Sequence, residues 1–111
     1  MTPDDFRRIA LSQAGACEMS HMGHPDFRVN GKIFATLAYP NVGWGMVKLA
    51  PEDQATFIER DPAAFQPVPG AWGKGGATRV HLAVADEDAV GEALSIAARS
   101  VTTKKPRKKP A

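Results

Sequence analysis

Asp26-Phe27-Arg28-Val29-Asn30-Gly31-Lys32-Ile33-Phe34-Ala35-Thr36-Leu37-Ala38 is the stretch whose reading decides the fold. Asn30-Gly31 is the dipeptide favoured in a two-residue type I′ turn, whose backbone twist matches that of the strands it joins. A two-residue loop predicts that Val29 pairs with Lys32 and Phe27 with Phe34. Those four then share one face of the hairpin, and Arg28, Ile33, Ala35 and Leu37 share the other. Neither face is cleanly polar. Either both are partly covered, or one offers apolar surface to a partner.

Working outward, Tyr39-Pro40-Asn41-Val42-Gly43 reads as a turn and Trp44–Leu49 as a further strand. Pro51 suits the first position of a helix, with Glu52 and Asp53 in its first turn and Phe57 and Ile58 as its apolar contacts. Asp61-Pro62 closes that helix, because the residue before proline is pushed out of the helical region. Three prolines and four glycines between Asp61 and Gly76 forbid a long regular element there, leaving room for a short extended piece around Phe65–Val68. Thr78, Val80, Leu82 and Val84 alternate with Arg79, His81 and Ala83, as a half-buried strand does. A last helix starts near Asp86-Glu87-Asp88 and carries Val90, Ala93, Leu94, Ala97 and Val101 as its stripe.

Upstream, Thr2 caps a first helix, Pro3 opens it, and Asp4 and Asp5 favour its positive end. Phe6, Ile9, Ala10 and Gln13 form its inward stripe, and Gly15 is a natural stop. The stretch Cys17–Met22 carries no clear period. Strands joined by short turns pair antiparallel, and helices bracketing such a sheet most simply cover one face. The expected fold is therefore α+β: a two-layer sandwich in the order α-β(3)-α-β(2)-α, with a five-stranded antiparallel sheet and helices mainly on one side.

The 111 residues amount to one domain, expected over 1–103. Apolar residues at 43% and charged residues at 23% exclude a wholly disordered chain. No apolar run approaches the roughly 18 residues of a membrane span, and the start lacks the pattern of a signal peptide. Cys17 stands alone, which fits a reducing, cytoplasmic setting and reads as a small buried thiol.

The net charge of +2 hides an asymmetry. Five of the fourteen basic residues, Lys104, Lys105, Arg107, Lys108 and Lys109, fall in the last eight positions. Without them nine cations face twelve acids, so residues 1–103 carry −3. Residues 104–111 read as a disordered basic tail that attracts polyanions, since each phosphate it neutralises releases condensed counterions. Its rival role is that of a solvated solubility tail.

Few residues suggest chemistry. His21-Met22-Gly23-His24 invites a metal reading, but Gly23 and Pro25 argue against a helix, a strand would point the two rings oppositely, and zinc needs three or four ligands. Ser20-His21 lacks the Gly-x-Ser-x-Gly frame of a hydrolase elbow. In Trp72-Gly73-Lys74-Gly75-Gly76 the glycines could present backbone N–H groups to a phosphate, with Lys74 as cation. A Walker loop, however, needs Ser or Thr after Gly-Lys, so nucleotide hydrolysis is disfavoured, and a mobile loop anchored by Trp72 is the plainer reading. If the folded part binds an anion, Lys74 with Arg79 and His81 marks the place.

Taken together, these pieces resemble the MmcQ/YjbR family of small bacterial proteins. The residues that carry the resemblance are Phe6-Arg7-Arg8-Ile9-Ala10-Leu11-Ser12 before Gly15, the block Ser20–Leu37, Val47-Lys48-Leu49 before Pro51-Glu52-Asp53-Gln54, and Trp72-Gly73-Lys74-Gly75-Gly76 with Thr78-Arg79-Val80. The likeness spans about residues 4–101. Ala14 departs from it, standing where relatives commonly have proline before the glycine. The resemblance implies the fold order just read and a DNA-binding role, and it brings no catalytic motif. The expectation is a non-enzymatic DNA-binding protein without metal or cofactor, gripping phosphates through the tail and through Lys32, Lys48, Lys74, Arg79 and His81. The alternative is a protein- or small-ligand-binding module that uses an exposed sheet face left by Phe27 and Phe34, or by Ile33 and Leu37.

Overall fold

Asn30 and Gly31 adopt φ of 55° and 78°, the two positive values that a type I′ turn requires. They join β2 (His24–Val29) to β3 (Lys32–Leu37) in a computed structural model that describes residues 1–38 and 41–103. Tyr39 and Pro40 of the expected turn, and the whole of the tail, lie outside the described residues. Val29 pairs with Lys32 as expected, and Arg28 with Ile33, but Phe27 faces Ala35. Phe34 is thus an extra residue, a β-bulge, and the strict alternation breaks between it and Ala35. Phe34, Ala35 and Leu37 all join Phe27 and Val29 in one buried cluster. Phe27 and Phe34 are fully buried and Leu37 is 2% exposed, so of the residues that motivated a docking face only Ile33 keeps part of its surface.

α1 (Pro3–Leu11) and α4 (Glu87–Thr103) supply the other half of that cluster through Phe6, Ala10, Val90, Ala93, Leu94 and Ala97. The rings of Phe6 and Phe27 stand 6.1 Å apart and tilted, a favourable aromatic geometry. Thr2 caps α1 in a reciprocal box with Asp5, the backbone N–H of each donating to the other's side-chain oxygen. Asp86 does the same service for α4 by accepting from Ala89 N–H.

The sheet has six strands rather than five. β1 (Ala16–His21) occupies the stretch without a clear period and pairs antiparallel with β2 along its whole length. It has no β-branched or aromatic residue, so its sequence does not announce a strand. Met22 and Gly23, at φ of 51° and 81°, form a second tight turn of the Asn30-Gly31 kind. β4 (Trp44–Lys48), β5 (Phe65–Pro67) and β6 (Ala77–His81) complete an antiparallel sheet in the order β1-β2-β3-β4-β6-β5. α2 (Pro51–Arg60) ends at Asp61 before Pro62, as its sequence requires. Among the described residues no helix is long and apolar enough to cross a membrane.

The glycines of the Trp72–Gly76 loop serve backbone packing. Ala71–Lys74 forms a single helical turn, α3, strapped down by Gln54, whose Nε2 donates to the carbonyls of Gly73 and Ala77 at 2.9 and 3.0 Å. A Cβ on Gly73 would fall 1.6 Å from the Val68 carbonyl oxygen, and one on Gly76 would fall 1.8 Å from that of Leu49. These glycines let two backbones touch. Gly76 also sits at φ of 114°, so Gly76→Ala combines overpacking with backbone strain. We expect it to cost about 2–4 kcal/mol in chemical denaturation; a variant as stable as the parent would mean the approach is slack.

Candidate nucleic-acid interface

The strand registers fix what projects from the sheet face turned away from α1 and α4. Met19, Asp26, Thr36, Met46, Arg79 and Gln66 are successive cross-strand partners, one row over all six strands. Two residues along on each side, the same face presents Cys17, Arg28 and Lys48 towards one end, and His21, His24, Trp44 and His81 towards the other. Met46 forms a small apolar cluster there with Val68 and Ala77.

Asp26 is the electrostatic centre of this face. It is fully buried, yet it accepts hydrogen bonds from Arg28 Nε and Nη2 at 2.8 and 3.0 Å and lies 2.7 Å from His21 Nδ1. A buried charge is tolerated only when paired and hydrogen-bonded in this way. The Arg28 guanidinium holds the Asp26 carboxyl below its ordinary value; burial opposes that shift, and the His21 contact reinforces it. Arg28 is raised in turn, first by its hydrogen bond to Asp26.

Across the sheet, the Trp44 and His81 rings stack at 4.5 Å with planes 7° apart. The Arg79 guanidinium lies 5.1 Å from the Trp44 ring centre and donates to Gln66 Oε1 at 2.8 Å. Arg79 and His81 are therefore brought together on one face, as the sequence suggested. Lys48 shares that face at the end of β4, and Lys32 opens β3 beside the Asn30-Gly31 turn. Lys74 is exposed at the end of α3 and belongs to no row of this face. Lys104, Lys105, Arg107, Lys108 and Lys109 lie outside the described residues.

The acids are distributed otherwise. Of the twelve Asp and Glu residues, Asp26 alone projects from this face. Glu18 of β1 alternates to the helix side, where Arg7 of α1 binds it at 3.0 Å. The rest belong to the helices or to the turns that end them. Arg28, Lys48 and Arg79 against Asp26 leave two positive charges on this face, whose central Asp26, Thr36 and Met46 are themselves buried. Since residues 1–103 carry −3 in all, the remainder carries −5. What a polyanion meets is set by this local balance more than by the net charge, because exposed charges beyond about 10 Å are largely screened.

Two expectations are corrected here. Cys17 is exposed on edge strand β1, opposite Arg28, and is not a buried thiol. His21 and His24 do not point oppositely: they face each other across the Met22-Gly23 turn, on one side of the sheet. His21 is engaged by Asp26, and among the described residues no group of three or more His, Cys, Asp or Glu is arranged to hold a metal ion. Arg28 and Asp26 escaped the sequence reading, although opposite charges two apart on a strand are a signal for a same-face pair.

A family model described as YjbR matches residues 11–97. Among solved structures, the chain is similar to the Deinococcus radiodurans protein DR2400, a domain designated DUF419, at 19% identity, covering 96% of this chain and 83% of that one with a TM-score of 0.76. That likeness is one of fold. No curated protein matches.

Asp26→Asn removes the charge that Arg28 and His21 serve, and we expect it to cost about 2–4 kcal/mol in denaturant unfolding at neutral pH. The sign of the pH dependence follows from the lowered carboxyl. Its stabilisation is present above the unfolded value of 3.8 and is lost as the pH falls through the lower folded value. The parent should therefore lose stability on acidification through that window more steeply than the variant; parallel curves would show that Asp26 contributes nothing as an anion.

Proposed function

The chain belongs to the YjbR family, and from that premise we propose that it is a non-enzymatic DNA-binding protein that grips phosphates with the sheet face turned away from its long helices. The observation that carries this reading is the segregation of charge: three cations and one paired carboxylate on the open face, with every other acid elsewhere. It supports phosphate contact by a domain whose overall charge is −3. Arg28 is held rigid by Asp26, and Arg79 by Gln66 and Trp44, so these two lose little freedom on contact. Lys48 adds an exposed cation at one end of the face, Lys32 adds another beside the Asn30-Gly31 turn, and the basic tail adds five more charges in sequence just beyond α4. Ion pairing with phosphates is the dominant, sequence-independent term in such binding, so the reading implies affinity with strong salt dependence.

Binding to duplex and single-stranded DNA across a salt series tests it. Each phosphate neutralised on duplex DNA contributes about −0.9 to the log-log salt slope. Deleting residues 104–111 should remove about 4.5 of that slope, for five charges, and leave about 2.7 from Lys32, Lys48 and Arg79, the charge of Arg28 being balanced by Asp26. Lys48→Ala and Arg79→Ala in the truncated chain should each lower the slope by about 0.9. A truncated chain that binds no DNA at low salt would confine binding to the tail, and a full chain that binds none would end the reading.

A further inference from the structure

At the end of the sandwich where the β2–β3 turn, the close of β4 and the last turns of α4 meet lies an open groove of about 520 Å³. Arg28, Gly31, Lys32, Lys48 and Ser100 supply its polar lining, Ile33, Leu49 and Val101 its apolar wall, and among the described residues no acid lines it. The volume is that of a small-ligand pocket, which typically runs about 300–1,000 Å³.

The charge in the groove can be counted. The charge of Arg28 is balanced by Asp26, whose carboxylate accepts from its Nε and Nη2. Lys32 and Lys48 are exposed and appear in no ion pair among the described residues. The end of α4 beside Ser100 and Val101 contributes the negative pole of its dipole, about −0.5 of a charge. That leaves about +1.5. A phosphomonoester carries about −1.5 to −2 near neutral pH, whereas a diester of the nucleic-acid backbone carries −1. We propose that this groove is a phosphomonoester site, with Lys32 and Lys48 as the clamping cations, Ser100 as a hydroxyl donor and Ile33 and Val101 as the wall for the attached group. The phosphate could come from the end of a nucleic-acid strand or from a free nucleotide; the chemistry is shared. The chain's own basic tail is the wrong occupant, since it carries the same sign. The site goes beyond the open-face reading, because it requires neither DNA nor Arg79.

The test uses the full chain, isotope-labelled, with 5′-AMP as probe and adenosine as its uncharged control. AMP should shift the backbone amide signals of Gly31, Lys32 and Ser100 while adenosine leaves them in place. Lys32→Ala with Lys48→Ala should weaken AMP binding about tenfold or more, and Arg79→Ala should leave it within twofold. Oligonucleotides with and without a 5′-phosphate then separate the two sources. Preference for the phosphorylated end assigns the site to strand termini, and AMP binding without such preference assigns it to free nucleotides. Equal response to AMP and adenosine, no response at these amides, or AMP binding indifferent to both lysines would overturn the proposal, even if the salt series shows DNA bound elsewhere on the sheet.

Discussion

Two faces of one hairpin compete for the same apolar residues, and the extra residue in β3 settles the competition. Without it, Phe34 and Ala35 would point in opposite directions, and either the core would lose Ala35 and Leu37 or the outer face would acquire them. With Phe34 accommodated as a bulge, both residues turn toward α1 and α4. Asp26, Arg28 and Thr36 are thereby left together on the far side of the sheet. The partition of this protein into an apolar layer and a cationic face is a consequence of that local break in alternation.

A polar face needs more than the right residues; it needs them held. Asp26 does this by being buried with a full set of partners, which fixes Arg28 from one side and His21 from the other. The Trp44–His81 stack and the Gln66 hydrogen bond fix Arg79 in a comparable way. The acids that would cancel these cations are instead used at helix starts, where Asp5 and Asp86 satisfy free backbone N–H groups. One allocation of carboxylates serves both helix stability and the electrostatics of the sheet.

Much of the architecture is legible in the chain because local chemistry and long-range packing agree. Thr2-Pro3, Asn30-Gly31, Pro51 and Asp61-Pro62 each mark a boundary by a steric or hydrogen-bonding rule that tertiary structure does not override. β1 is not legible, since Ala16–His21 makes a strand only by borrowing the edge of β2, and Met22 obscures a turn that asparagine would have advertised. The bulge is equally silent, because a period-2 pattern with one slipped residue looks like no pattern. Of the open face, Arg79, His81 and Lys48 could be found from alternation alone. Arg28 and Asp26 could not be weighed without knowing which side of the hairpin was covered, and the glycines around Lys74 suggest an anion loop until backbone distances show what they accommodate.

The two tight turns also set an order of assembly. β1, β2 and β3 are linked by loops of two residues each, so their pairing closes short rings at small entropic cost. β4 meets β6 only after the chain has travelled through α2, β5 and α3, with Trp44 finally opposite His81. Contacts between neighbours in sequence form faster than contacts between distant segments. On that ground the meander that carries Asp26 and Arg28 is expected to pair early, and the half of the face bearing Arg79 after it.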